Sequence, residues 1–245
     1  RVLIFSPHPD DDIISMGGTF IRLQEQGHEV HIGYQTSGNI AVTDDEALKF
    51  AEVCNDFVGD NHSKINFQAT IDFLNNKSEN QVDSLEVRKL KGLIRRRESY
   101  AAVRYIGLKD ENIHFLDLPF YETGEVKKNP IGDEDISLVA AIIDKIKPHQ
   151  IFAAGDLADP HGTHKTCLDI VFEAVKRLKP QKYMDDCWVW LYRGAWQEWG
   201  IDEIEMAVPM GPDQVLEKRK GIFKHQSQKD GVVFQGADSR EFWQR

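Results

Sequence analysis

A short stretch near the start of the chain, residues 6–18, concentrates side chains that could hold a metal ion. Its ionisable members are one imidazole and three carboxylates: His8, Asp10, Asp11 and Asp12. Carboxylates this close repel one another unless a positive charge lies among them. The amino end of a helix supplies only about half a charge, so a divalent metal ion is the more complete counter-charge. For this stretch taken alone, an acidic helix start without any metal is the simpler alternative.

A second polar stretch, residues 155–164, contains His161 and His164. Together the two stretches offer two imidazoles and one carboxylate from His8, Asp11 and His164. A catalytic zinc ion commonly takes three such ligands and leaves a fourth position to water, whereas structural zinc takes four protein ligands. We therefore expect a catalytic Zn²⁺ site, with Fe²⁺ as the alternative because the same ligand set suits non-haem iron.

The other polar side chains of the two stretches are candidates for proton transfer. Asp10 is the expected general base, because neighbouring loop residues point in different directions and one can bind metal while the other faces water. His161 is left to stabilise an oxyanion or to protonate a leaving group. Zinc lowers the pKa of its water toward about 7, so the combined site predicts hydrolysis at a carbonyl.

Apolar runs and helical spacing place both stretches directly after buried strands. Strands are expected at residues 2–5, 29–36, 112–116, 150–154 and 186–192, and helices at residues 13–26, 44–58, 85–106, 136–146, 165–178 and 214–225. This alternation predicts an α/β fold, a Rossmann-like open, mostly parallel sheet with helices on both faces. A further strand at residues 203–208 would give an antiparallel C-terminal edge. Loops at the carboxyl ends of parallel strands face one crevice, where the two stretches are expected to meet.

Length and composition are those of an ordinary globular domain. With 245 residues, 41% of them hydrophobic and 29% charged, the chain is expected to form one domain over residues 1–245. Residues 60–83 are more polar and are expected to form an insertion or lid with weak helical character. The chain begins with Arg1 and opens a strand at Val2, which indicates a fragment of a longer protein.

The same composition excludes several partners. A net charge of −10 argues against nucleic acid, whose phosphates favour a basic surface. No apolar run approaches the roughly 18 residues that a membrane span needs. Three cysteines without CxxC spacing favour free thiols in the cytoplasm.

Arg95 and Tyr121 are candidates for substrate contact outside the two stretches. Arg95 opens a run of three arginines in a predicted helix. Such runs are usually solvated, although a guanidinium also suits a substrate anion. Tyr121 follows Phe120 in the predicted loop at residues 117–133, where an aromatic side chain can meet a ligand.

Taken together, these motifs resemble the PIG-L or LmbE-like N-acetylglucosaminyl deacetylase family. The first signature of that family is (A/P)HPDD(E/D) after a strand, here PHPDDD at residues 7–12, and the second is HxxH, here HGTH at residues 161–164. Residues 95–107 look like the RxxE…AA…LG helix of the family. Residues 225–228, HQSQ, are similar to its closing H-x-S-Q element, so the resemblance runs over residues 2–228.

The resemblance implies a zinc-dependent hydrolase that releases acetate from an N-acetylated amino sugar. By that likeness, the metal ligands are His8, Asp11 and His164. It also implies that Asp10 is the general base and that His161 polarises the tetrahedral intermediate.

One position departs from the family pattern, and one that matches it implies a role in substrate binding. Thr163 stands where many members have an aspartate, so His161 needs another carboxylate, for which Asp156 and Asp159 are the candidates. The arginine of the family helix contacts substrate, which implies the same role for Arg95.

The chain resembles most the PIG-L-type domain at the end of long glucosamine-6-phosphate deaminase (isomerase)-like proteins. That likeness implies a covalently linked deaminase-like domain. It also implies a phosphorylated amino sugar whose phosphate meets Arg95 or a nearby lysine. The alternative function is a non-catalytic domain that binds a sugar phosphate or regulates the deaminase. The sequence leaves open whether the chain forms a homo-oligomer.

Overall fold

Five strands form one parallel sheet. The computed structural model describes residues 1–58, 67–194 and 196–228. The strands are β1 Val2–Ser6, β2 Val30–Tyr34, β3 Ile113–Phe115, β4 Gln150–Ala154 and β5 Trp188–Tyr192. They lie in the order β3-β2-β1-β4-β5, and every neighbouring pair is parallel. Because β1 and β4 are neighbours that run the same way, the loops that follow them leave one edge of the sheet side by side.

Helices cover both faces of this sheet. In the described part of the chain they are α1 Asp11–Glu25, α2 Asp44–Val58, α3 Phe67–Asn76, α4 Leu85–Ile106, α5 Asp133–Ile146, α6 Thr163–Leu178 and α7 Pro212–Ile222. Side chains of β1 alternate between two cores. Leu3 and Phe5 pack with apolar residues of α5 and α6, whereas Val2 and Ile4 pack with those of α1. The predicted α/β sheet with helices on both faces is confirmed.

The predicted antiparallel edge is wrong. β5 pairs with β4 in parallel, because α6 crosses over the sheet and returns the chain in the starting direction. Residues 203–208 form no strand. The whole segment, including the apolar Ile204, Met206 and Val208, instead lines a cavity of about 650 Å³ beside β5. An alternating apolar pattern does not by itself require a strand.

Much of the predicted insertion at residues 60–83 is a regular helix. α3 buries Ile71 and Leu74, so its helical character is stronger than the sequence indicated. Two lysines and two aspartates tie the segment to α2 and α4 through contacts of 2.5–3.1 Å: Lys77, Lys91, Asp44 and Asp83. The first part of the predicted insertion, residues 60–66, lies outside the described residues.

Two expectations from composition can be compared with the structure. Within the described ranges, no helix combines the length and the apolarity that crossing a bilayer requires. The three cysteines, Cys54, Cys167 and Cys187, are free thiols, as predicted.

Candidate active site

The loops after β1 and β4 carry the two polar stretches to the same edge of the sheet. Two hydroxyls fix the first loop. Ser6 Oγ donates to the His8 carbonyl at 2.5 Å, and Ser99 Oγ of α4 donates to the Pro9 carbonyl at 3.2 Å. Because α1 and α6 begin directly after the two loops, the polar side chains lie at or just before a helix start.

His8, Asp11 and His164 come together at this edge. Asp11 Oδ2 lies 3.2 Å from His8 Nδ1 and 3.3 Å from His164 Nε2. One ligand atom from each of the three residues lies within 4.8 Å of the others. Among the residues that the structure describes, they are the one such group of histidine, cysteine or acidic side chains. Two nitrogens and one carboxylate oxygen form a donor set that suits a divalent transition metal.

The ring of His164 is oriented toward that shared point. Its Nδ1 lies 3.0 Å from the main-chain carbonyl oxygen of Asp156. A carbonyl can only accept, so Nδ1 carries a proton and Nε2 faces Asp11. Nε2 is buried and meets no geometric criterion for a hydrogen bond among the described residues, although Asp11 Oδ2 lies 3.3 Å away. Because a buried polar atom without a well-formed hydrogen bond is costly, a nitrogen held beside a carboxylate in this way fits a metal ligand.

The charges of this group perturb one another. Burial alone would raise the pKa of Asp11, but His164 and His8 outweigh burial and lower that pKa. Burial alone would lower the pKa of His164, but Asp11 outweighs burial and raises that pKa to about 9. Asp11 therefore stabilises positive charge at this point, and a divalent cation competes with the His164 proton for it.

Asp10 points away from the group, toward α4. Its Oδ2 lies 3.0 Å from Nη2 of Arg95, and the two side chains are only 6% and 2% exposed. Burial raises the pKa of Asp10, and the Arg95 guanidinium opposes this effect. A buried carboxylate whose proton affinity is raised and which still faces a cavity suits a general base.

Asp12 lies beneath the site. The hydroxyl of Tyr34 donates to its carboxylate at 2.8 Å, and the Asp12 backbone N–H donates to Ser6 Oγ at 3.0 Å. Burial raises the pKa of Asp12 to about 7. Asp12 therefore joins β1, β2 and α1 and does not line the cavity.

His161 is exposed and lines the cavity. Neither candidate carboxylate contacts its ring. Asp159 accepts hydrogen bonds from two backbone N–H groups at the start of α6, at 2.9 and 3.2 Å. Asp156 accepts one from the backbone N–H of Trp196 at 2.5 Å. The expected carboxylate partner of His161 is therefore not found among the described residues, because both carboxylates bind backbone instead.

A cavity of about 420 Å³ opens over these side chains. Tyr121 lines it, and its ring meets the ring of His8 edge-on with centroids 6.0 Å apart. Tyr121 and Phe120 both pack in the same hydrophobic core, and of the two only Tyr121 also reaches the cavity. The described part of the predicted lid, residues 67–83, does not line the cavity.

Sequence reasoning missed part of the cavity wall. Residues 40–43, Trp196 and Gln228 all line it. No local pattern marked residues 40–43. Gln228 could have been found through the closing H-x-S-Q element: Ser227 donates its N–H and Oγ to Glu98 of α4 at 2.6 and 2.7 Å, which brings the element to the wall.

Sequence comparison finds a matching family profile and a longer relative. A sequence profile of the PIG-L family, described as GlcNAc-PI de-N-acetylase, matches residues 3–175. A protein of Bacteroides thetaiotaomicron that is named as glucosamine-6-phosphate deaminase-like is 51% identical over 253 residues. That alignment covers 100% of this chain but 38% of the relative, so the chain spans less than half the length of the curated protein it matches.

Solved structures share the fold. The N,N'-diacetylchitobiose deacetylase of Pyrococcus horikoshii, solved with an inhibitor, matches 94% of this chain and 72% of its own with a TM-score of 0.62 and 20% identity. The zinc-inhibited form of a teicoplanin deacetylase matches 97% of this chain and 87% of its own with a TM-score of 0.56 and 16% identity. At these identities the likeness is one of fold, and a fold by itself does not fix a reaction.

Proposed function

Because the chain belongs to the PIG-L family of GlcNAc-PI de-N-acetylases, we propose that it is a metal-dependent deacetylase of an N-acetyl amino sugar. The observation that carries the proposal is the group formed by His8, Asp11 and His164, with the buried Nε2 of His164 turned toward the Asp11 carboxylate.

We assign Zn²⁺ to this group, with Fe²⁺ as the alternative, and His8, Asp11 and His164 as its ligands. When bound, such an ion supplies Lewis acidity, which polarises an acyl carbonyl and lowers the pKa of water. The carbonyl of Asp156 holds the proton on His164 Nδ1 and so would leave Nε2 free to bind such an ion.

Asp10 and His161 are the residues that we assign to the proton transfers. The carboxylate of Asp10 takes the proton of the attacking water, and Arg95 holds that carboxylate in place. His161, at the exposed side of the cavity, polarises the tetrahedral intermediate or gives a proton to the leaving amine. Nη2 of Arg95 pairs with Asp10. A direct contact between Arg95 and substrate would therefore have to use the other nitrogens of the guanidinium, and this contact stays a prediction.

The test is metal content paired with acetate release from N-acetylglucosamine. We expect about one Zn²⁺ per chain, and activity that is lost in both His164→Ala and Asp10→Asn. Only His164→Ala is expected to lose the metal as well. His149→Ala is the matched control, because His149 is exposed and precedes β4, whereas the site lies in the loop after that strand. Anaerobic loading with Fe²⁺ separates the two metals by their activities.

The competing function is a domain that binds a sugar phosphate without turnover. The name of the Bacteroides relative favours it. A metal-loaded protein that is stabilised by the sugar but releases no acetate, with the same stabilisation in Asp10→Asn, would establish this alternative. On the same ground we propose that a deaminase-like domain is covalently linked to this chain, which the mass of the native polypeptide tests.

A further inference from the structure

We propose, resting on the deacetylase function proposed for this site, that the cavity takes an uncharged N-acetyl amino sugar and discriminates against its phosphate esters. The first support is the scarcity of cationic side chains in the wall. The carboxylates of Asp10, Asp11 and Asp159 all line the cavity, and a divalent ion held beside Asp11 would, with Arg95, only balance these three negative charges. Among the described lining residues, Arg95 is the one lysine or arginine.

Arg95 is buried and already paired with a carboxylate. The residue is 1% exposed, and its guanidinium forms the 3.0 Å ion pair with Asp10. Phosphate recognition usually depends on a guanidinium or ammonium group that can turn its N–H donors toward the anion. If Arg95 turned toward a ligand phosphate, the buried carboxylate of Asp10 would lose its counter-charge, which is strongly unfavourable.

The helix N-termini at the cavity are also closed to an anion. Such an end binds phosphate when its free N–H groups point at the ligand. At the start of α6, Asp159 already accepts two of these N–H groups. At the start of α2, Thr43 accepts the N–H of Glu46 at 3.2 Å, and the first turn carries three acidic residues. At the start of α1, the first turn holds Asp11 and Asp12.

Lys128 lies beside Tyr121 of the wall, but its ammonium group is held outside the cavity. Its Nζ lies 3.8 Å from the centre of the Tyr121 ring and donates to the Glu125 carbonyl at 2.7 Å. Lys128 does not line the cavity. Its ammonium group therefore supports the ring of Tyr121 from outside the wall.

What the wall does offer suits a neutral sugar. Tyr121 and Gln228 present neutral polar groups, and Ile40, Val42 and Trp196 contribute apolar surface. Sites of this kind bind a ligand by contact with apolar surface and orient it with a few polar groups. Hydroxyls and the faces of a sugar ring match that lining, whereas a dianionic phosphate does not.

The test measures the affinity of zinc-loaded wild-type protein for N-methanesulfonylglucosamine and for its 6-phosphate. The sulfonamide is not hydrolysed, so binding can be measured whether or not the protein is a deacetylase. We expect the neutral sugar to bind at least roughly tenfold more tightly, because the phosphate would lose its water without gaining a free cationic side chain as partner. Equal or tighter binding of the phosphate, or no binding of either sugar, overturns the proposal.

Two variants sharpen this test. Ile40→Lys adds a cation at the wall and is expected to improve binding of the phosphate by roughly tenfold with little effect on the neutral sugar. Lys128→Met is expected to leave the ratio of the two affinities unchanged, and a selective loss of phosphate binding in this variant contradicts the proposal. Acetate release from N-acetylglucosamine is measured separately. If it fails while the sugars are still discriminated, the proposed function is lost and the selectivity stands.

Discussion

The buried ion pair between Asp10 and Arg95 gives the sharpest prediction. Arg95→Met removes the cation and leaves the carboxylate buried. At 3.0 Å and an effective dielectric constant of about 20, the gross attraction between two unit charges is about 5–6 kcal/mol. Loss of one partner from a buried pair usually costs about 3–5 kcal/mol. Because burial already raises the pKa of Asp10, the carboxyl can escape part of this cost by binding a proton, so we expect about 3 kcal/mol.

Arg96→Met is the matched control, because it makes the same change at the next residue of α4. Arg96 pairs with Asp117, but these side chains are 31% and 43% exposed. Exposed pairs contribute at most about 1 kcal/mol. The free energy of unfolding, measured by urea titration with tryptophan fluorescence at one fixed metal load, should therefore fall much further in Arg95→Met than in Arg96→Met.

Activity and a double-mutant cycle complete the test. Acetate release should fall about 100-fold in Arg95→Met, since a misplaced base loses the usual contribution of general base catalysis. Asp10→Asn combined with Arg95→Met removes both charges, so the double variant should be about 2–3 kcal/mol more stable than the sum of the single losses implies. Equal destabilisation by Arg95→Met and Arg96→Met, together with no coupling in the cycle, would refute the reasoning.

Three further predictions concern stability. Asp159→Ala should lower the free energy of unfolding, measured by thermal unfolding, by about 1–3 kcal/mol, because two backbone N–H groups at the start of α6 lose their acceptor. Asp159→Asn should be less destabilising, since its side-chain oxygen can still accept a hydrogen bond from this backbone. Burial lowers the pKa of His114 to about 4 from its usual 6.5, so the unfolded chain binds more protons between these values and stability falls as pH falls through them. His114→Gln should remove about 1–2 kcal/mol of that decline, measured by urea unfolding across the same pH range. Gly38→Ala should cost more than Gly27→Ala, because both have positive φ but only at Gly38 would a Cβ come within 2.7 Å of Pro9. Urea midpoints check the order, and equal costs would contradict it.

Local patterns in the sequence determined much of the fold. The period of apolar residues predicted the bounds of α2, α4 and β4 as the structure has them. These elements depend on neighbours a few residues apart, so their signal is contained in the chain itself. The two polar stretches were also expected to meet, because the carboxyl ends of neighbouring parallel strands share an edge.

Contacts between distant residues were decided only by the tertiary structure. Asp10 and Asp11 are adjacent and chemically identical, yet one faces Arg95 of α4 and the other faces His164 of α6. Asp159 binds the backbone of α6 and not the ring of His161. Spacing along the chain supplies the types of side chain at a site. The direction of each one follows from which helix packs against the loop, and that information is not local.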